Sequence, residues 1–461
     1  MKRIGVLELH NSKEIAENFM SIGFECADRD MFKVEECYDY LGQSGIKYAR
    51  LSSGWAKTEK VPGIFDFGWL DSIVNELIER GIEPWFNVVY GNPIYMPDAP
   101  NETAAGCTPM RYGEEVMQKW LSYVEALAKH FAGRVTHYEI WNEANSSWFW
   151  YPGKPDMVEY AEFIRRSGQM IKKVLQDARI GCGLDGRGFM DDQWLNVLLS
   201  ELHPGDIDFY CFHTYTTAPE FQYFPNVRRI RERLDSFGHE RTEIWQGEAG
   251  FPTWFPEDLK HGMKPESQSN EQRQAIVFLR RYFLDKASGC VRSSVYHTCD
   301  LWEKAYRLPG LVEKRQAAFG ILNGLTYTPK KAYEVMCRMA TIFSGKFVCI
   351  SHSTPCNEAE RKGAAVEPVR FVYEKDGKPV YAYYLPTDVE KEEAIDGNYT
   401  FYITANENKR WLSHPVLIDM LEGTVYELES QKDAAGNQKF EKLPLASYPF
   451  VICDRDTYKI I

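Results

Sequence analysis

The feature that most restricts this chain is an alternation of short apolar runs with helical periods, eight times over, between about residues 22 and 344. It opens with "SIGFECAD" and a helical stretch ending at "LGQSG". "KYARLSSGW" follows, then "WLDSIVNELIERG", where Leu70, Ile73, Val74, Leu77 and Ile78 fall on one helical face and Gly81 stops the period. "IEPWFNVVYGNP" is extended again. Val116, Trp120, Val124, Leu127 and Phe131 make the next stripe, closed by Gly133. "VTHYEIWNEAN", "ARIGCGLDG", "DIDFYCFHTY", "TEIWQGEAGF" and "CVRSSVYHTCDLW" continue as strands four to eight, each followed by a helical segment. Eight strand–helix units are the count of a closed (β/α)8 TIM barrel. An open doubly wound sheet would alternate in the same way, but no GxGxxG follows a strand here. The predicted fold class is therefore α/β, a (β/α)8 TIM barrel.

After about residue 345 the helical period disappears. "VRFVYEKDGKPVYAYYLPTD", "NYTFYITAN", "HPVLIDMLEGTVYELES" and "LASYPFVICDRDTY" are strand runs broken by DG and EGT turns, as in a C-terminal all-β sandwich-like module. The expected division is an N-terminal strand in residues 1–20 folding back onto the β module, a barrel over 21–345 and a β sandwich over 346–461.

Composition narrows the chemistry. The net charge of -12 and the lack of any basic run exclude a nucleic-acid footprint and favour a neutral substrate. The 11 cysteines have no CxxC pair or regular spacing and read as small buried hydrophobes, which favours a reducing compartment. The opening "MKRIGVLELHNS" has no apolar signal region, and no run reaches membrane-spanning length, so a cytoplasmic protein without membrane partners is expected, or a secreted one if a signal segment has been removed. Association of identical chains is compatible with the sequence. Neither a cofactor nor a metal is called for: there is no HExxH, no GxSxG elbow and no strand-end Lys.

A barrel of this kind carries its reactive groups at the C-terminal ends of its strands. That rule nominates Asn142 and Glu143 on strand four, His213 and Tyr215 on strand six, Glu248 on strand seven, Trp302 on strand eight and Arg50 on strand two. Strands four and seven face each other across a closed barrel. Two carboxylates opposed across the mouth suit glycosidic cleavage, in which one protonates the departing oxygen and the other attacks or stabilises the anomeric carbon. An apolar setting beside Trp141 would keep the first protonated, while Tyr215 or Arg50 would keep the second ionised. Glu139, four residues deeper than Glu143, is expected to pair with a buried cation. Glu243 has the opposite strand parity to Glu248 and is expected to face the helix layer.

"EIWNEAN" resembles the strand-four signature W-N-E-P-N of clan A glycoside hydrolases, and "IWQGEAG" resembles their strand-seven nucleophile segment. The trailing β module is similar to that of glycoside hydrolase family 39. The resemblance implies a retaining glycosidase, β-xylosidase- or β-glucosidase-like, with Glu143 as general acid/base and Glu248 as nucleophile. It implies that Asn142 bonds the sugar 2-hydroxyl, that Arg50, Tyr215 and His213 orient the carboxylates and that Trp302 floors the sugar subsite. Ala144 stands where the motif has Pro, and strand three offers Asn87 and Tyr90 where some clan members have His, which makes Asn87 a candidate substrate contact. In the loops, Trp148 and Trp150 after strand four and Trp254 after strand seven are candidate stacking faces for a sugar. Glu25, Asp28, Arg29 and Asp30 after strand one read either as contacts to sugar hydroxyls or as a plain surface turn. The alternatives are a catalytically inactive carbohydrate-binding barrel and a transglycosylase with the same site.

Overall fold

The computed structural model describes residues 1–253, 268–303, 315–353, 367–389, 395, 398–404 and 410–461. After an N-terminal strand β1 (Lys2–Val6) come eight parallel strands: β2 (Met20–Gly23), β3 (Tyr48–Ser52), β4 (Glu83–Val88), β5 (His137–Ile140), β6 (Arg179–Leu184), β7 (Phe209–His213), β8 (Glu243–Ala249) and β9 (Arg292–Val295). Each pairs with the next, and β9 returns to β2 and closes the barrel. Helices cover the outside, so strands such as Phe209–His213 are buried along their whole length and read as continuous apolar runs. The helix Met157–Val174 starts where Asp156 accepts from the backbone N–H groups of Val158 and Glu159, satisfying donors that a helix end otherwise leaves unpaired.

The base of the barrel is plugged. Trp85, Phe209, Cys211 and Trp245 pack together there. The Arg292 guanidinium lies between the rings of Tyr48 and Trp245, 3.7 and 4.0 Å from their centroids. Glu143 and Glu248 lie at the opposite, C-terminal ends of the strands.

Strand eight is shorter than the sequence reading. It stops at Val295, and the chain turns where a His297 ring nitrogen meets the Cys299 carbonyl at 3.1 Å. Trp302 lies instead on a separate ribbon, β10 (Leu301–Glu303) paired with β11 (Arg315–Ala317).

The remaining strands are β12 (Phe347–His352), β13 (Val369–Lys375), β14 (Lys378–Tyr384), β15 (Asn398–Ile403), β16 (Pro415–Asp419), β17 (Thr424–Glu427), β18 (Gln431–Lys432), β19 (Gln438–Pro444) and β20 (Phe450–Asp454). They form an antiparallel sheet in the order β1-β17-β16-β20-β14-β13-β12 and a smaller one, β15-β19-β18. The Asp376–Gly377 pair, both at positive φ, closes the β13–β14 hairpin with the handedness such two-residue turns need. Alternation along β14 sets the layering. Val380, Ala382 and Tyr384 join the core shared with the barrel, while Tyr381 and Tyr383 meet Phe401 and Phe440 of the small sheet. The larger sheet therefore lies between the barrel and the small sheet. Among the described residues the cysteines are free thiols, all buried but Cys349, and no helix is long and apolar enough to cross a membrane.

Candidate active site

β5 ends at Ile140, and the chain then turns through two left-handed residues, Trp141 at φ 68° and Glu143 at φ 43°. Such conformations are costly for residues with a side chain and persist where packing over-determines them. Here the Trp141 ring is fully buried against Tyr90, Trp120, Trp150 and Phe163, and Asn87 Nδ2 donates to its carbonyl at 2.7 Å. That packing holds the turn from which the Glu143 carboxyl reaches over the mouth.

Glu248 arrives by a different device. The pairing register of β8 shifts against β7 and again, between Gln246 and Ala249, against β9. Strict alternation is broken there. Glu243 consequently lies on the Trp245 side of the strand, accepting from the indole N–H at 2.9 Å, rather than facing the helix layer as its parity predicts.

The carboxylates converge. One oxygen of Glu143, one nitrogen of His213 and one oxygen of Glu248 lie within 4.8 Å of one another. His213 Nδ1 is 2.8 Å from Glu143 Oε1 and 3.8 Å from Glu248 Oε2. Tyr215 donates its phenol to Glu248 Oε2 at 2.7 Å. A cation could find three ligand atoms here, but Glu248 is already ion-paired to Arg50, whose charge would oppose it.

Arg50 organises the floor of the site from a fully buried position. Its Nε donates to Glu139 Oε2 at 2.8 Å, and Nη2 pairs with the same oxygen at 2.7 Å. Nη2 also donates to Asn142 Oδ1 at 3.0 Å, and Nη1 donates to Glu25 Oε1 at 2.9 Å and to Glu248 Oε1. A guanidinium has five N–H groups, and all are engaged. Three acids on one cation leave an excess of negative charge. Burial pushes the Glu25 carboxyl up to about 7, against the pull of Arg50, which relieves it. Arg50→Met is expected to lower stability by about 3–5 kcal/mol, because it leaves buried acids without their cation; a denaturant midpoint would read the loss, and an unchanged midpoint would refute the role.

The two central carboxyls are driven apart. Burial raises Glu143 above the ordinary range, and the Glu248 charge adds to that push against His213. Burial would raise Glu248 as well, but the charges of His213 and Arg50 and the Tyr215 hydrogen bond outweigh it and hold it below the ordinary range. Burial alone would strip the proton from His213; Glu248 and Glu143 together hold it above its usual value. The two shifts run in opposite directions, the separation that a proton donor and a nucleophile need.

The other nominated residues separate. Asn142 joins the cluster through its Oδ1, and among the described residues no hydrogen-bond partner is found for its amide NH2. Trp148 is 55% exposed on the rim and offers a face. Trp150 does not: it is fully buried, edge-on to Trp141, Tyr160 and Phe163, because the aromatic run folds back under the turn at Trp141. Asn87 is also buried and holds Glu139 and the Trp141 carbonyl, so it supports the site instead of lining it. Trp302 is not on strand eight, as described above, and Trp254 lies outside the described residues. In the loop after β2, only Glu25 reaches the cluster; Arg29 pairs with Asp28, and Asp30 with Lys57 on the surface. Sequence reasoning missed Tyr296 and Phe319, whose rings meet Tyr215 edge-on, with centroids 6.5 and 5.6 Å from it. Ending strand eight four residues after Arg292, the length of strand four, would have put Tyr296 at its tip.

A closed parallel barrel that brings two carboxyls together at the C-terminal ends of strands four and seven is the arrangement that glycosidic cleavage by paired carboxyls requires. The family model for glycosyl hydrolases family 39 matches residues 33–244, which include Glu143 and stop just short of Glu248. The match spans slightly under half of the chain, so this barrel segment is similar to that family, and the match supports an O-glycosyl hydrolase acting on a carbohydrate. No curated protein matches the sequence. Among solved structures, a family 39 β-xylosidase from Caulobacter crescentus superposes with a TM-score of 0.62 at 16% identity, covering 98% of this chain and 97% of that one. A monomeric β-xylosidase from Caulobacter crescentus CB15 gives 0.61 at 14% over 98% and 97%. A glucosidase from Croceicoccus marinus gives 0.55 at 12% over 96% and 97%. At these identities the structures establish a shared architecture, barrel and β module together.

Proposed function

We propose that the protein is a retaining, exo-acting glycosidase of β-xylosidase or β-glucosidase type, working by double displacement on a neutral glycoside. The observation that carries this reading is the approach of Glu143 and Glu248 to within 4.8 Å. Retaining pairs stand at about 5–5.5 Å, whereas inverting pairs need about 6.5–9.5 Å to admit a water between them.

In the first step a Glu248 oxygen bonds to the anomeric carbon while Glu143 gives its proton to the glycosidic oxygen and the aglycone leaves. Glu143, now ionised, takes a proton from water as that water's oxygen attacks the same carbon. The glycosyl ester breaks, and Glu248 is restored as a carboxylate. Arg50 and Tyr215 stabilise the charge on Glu248 before and after. The NH2 of Asn142 is available to a sugar hydroxyl, and the exposed ring of Trp148 to a sugar's C–H face.

The test is the anomer first released, read by proton NMR before mutarotation. Retention requires the substrate's own configuration, and the opposite anomer overturns the mechanism. β-Xylosides and β-glucosides are the first chromogenic substrates to try, since the neighbouring structures are of a β-xylosidase and a glucosidase.

The pH profile of kcat/KM should be bell-shaped. Glu248 must be ionised, and its lowered pKa extends activity to more acid pH; Glu143 must be protonated, and its raised pKa carries activity to more alkaline pH than an ordinary glutamic acid would. A profile falling on its alkaline side near the ordinary carboxyl value would refute the assignment.

A further inference from the structure

The loop after β7 faces two ways. Tyr215 donates to Glu248 at the barrel mouth. Further along the same loop, Glu220 points into the seam between the barrel and the larger sheet of the β module and is 5% exposed. Arg280, on the helix Gln268–Ala287, donates Nε to Glu220 Oε1 at 2.6 Å and Nη2 to Oε2. Tyr384, the last residue of β14, donates its phenol to Glu220 Oε1 at 2.7 Å. Arg280 Nη1 donates to the Thr387 carbonyl at 2.8 Å, and the guanidinium lies 5.5 Å from the centre of the Tyr384 ring. A loop acid, a helix cation and two groups of the β module thus form one buried, mutually bonded unit.

Such a pair is a weak source of stability, because desolvating two charges offsets most of their attraction. What it supplies is position. Between Tyr215 and Glu220 the loop is held by local turns, such as Ala218 N–H to Thr216 Oγ1 at 3.1 Å, and Tyr215 itself is 42% exposed. Tyr215 is anchored before the loop, where Thr214 N–H meets the Glu248 carbonyl at 3.0 Å, and after it at Glu220.

We infer that the β module is part of the catalytic apparatus: through Tyr384 and Thr387 it clamps the Arg280–Glu220 pair, fixes the loop that carries Tyr215, and so makes Tyr384 and Glu220 positioning residues for the Glu248 carboxylate. This rests on the assignment of Glu248 as nucleophile.

The experiment uses the full chain and compares Tyr384→Phe with Tyr373→Phe. Tyr373 donates to the Phe283 carbonyl at 2.7 Å, a seam hydrogen bond of the same kind away from the loop. Tyr384→Phe should lower kcat/KM about fivefold, mostly in kcat, as expected for one hydrogen bond's worth of alignment. It should also move the acid limb of the pH profile upward by about half a unit, since a misplaced Tyr215 no longer lowers the pKa of Glu248. Tyr373→Phe should leave the limb in place whatever it does to the melting temperature. In a Tyr215→Phe background, Tyr384→Phe should shift the limb no further, because both act through the same phenol. Glu220→Gln should move the limb in the same direction and guards against a peculiarity of the Tyr384 variant. An unmoved limb, an equal shift from Tyr373→Phe, or additive shifts in the double variant would overturn the inference. Retained activity in Glu248→Ala would sink the underlying assignment instead, independently of any of these variants.

Discussion

Glu248→Ala is expected to lower kcat about ten-thousand- to million-fold, the scale on which removal of an activated nucleophile acts. The side chain it deletes is the one that Tyr215 and Arg50 hold ionised, so no neighbour can take over its attack. The substitution also opens a space beside the anomeric carbon. A small anion such as azide can occupy it and attack in place of the carboxylate, since Glu143 remains to protonate the leaving oxygen. The product should be a glycosyl azide with the configuration opposite to the substrate's, because only one displacement then occurs. Mass spectrometry and NMR of the product decide it. A variant that keeps more than about a hundredth of its activity, far above the residual rate expected without a nucleophile, would refute the assignment.

Glu143→Gln should behave differently, and the difference is diagnostic. Without a proton donor, glycosides with alkyl or sugar leaving groups should slow by about a hundred- to ten-thousand-fold. Aryl glycosides with acidic phenols depart without protonation, so their first step should survive. The second step then lacks its base, the glycosyl-enzyme accumulates, and stopped-flow should show a burst of phenol followed by slow turnover. Azide, which needs no deprotonation, should restore that turnover with retained configuration. A uniform loss across leaving groups would mean that Glu143 is not the acid. The protein fold should be indifferent to the change: the carboxamide can still accept from His213 Nδ1, whose distance to Glu143 Oε1 is 2.8 Å.

The barrel was legible because its signal is periodic. Eight extended runs separated by helical stripes such as Leu70, Ile73, Val74 and Leu77 need no long-range information, and those four side chains are buried together. Ile78, adjacent to that stripe, is 41% exposed, since a step of one residue turns about 100° around the helix. Where local rules were pushed further they failed for identifiable reasons. Parity along "TEIWQGEAGF" misplaced Glu243 because the register shift at Gln246–Ala249 depends on how β8 pairs with its neighbours. Trp148 and Trp150 looked alike in sequence, yet one is 55% exposed and the other fully buried, a distinction made by the left-handed turn at Trp141 and the rings around it.

The sequence by itself determined the strand count, the β module beyond it and the arrival of two glutamates at the tips of strands four and seven, because hydrophobic period and strand-end position are written in neighbouring residues. Only the tertiary structure decided that Arg50 is shared by Glu25, Glu139 and Glu248, and that a residue as distant as Tyr384 meets the loop carrying Tyr215. Those contacts join groups far apart in the chain. Which acid faces which cation, and so which carboxyl keeps its proton, follows from burial and charge in the closed barrel, where no local pattern reaches.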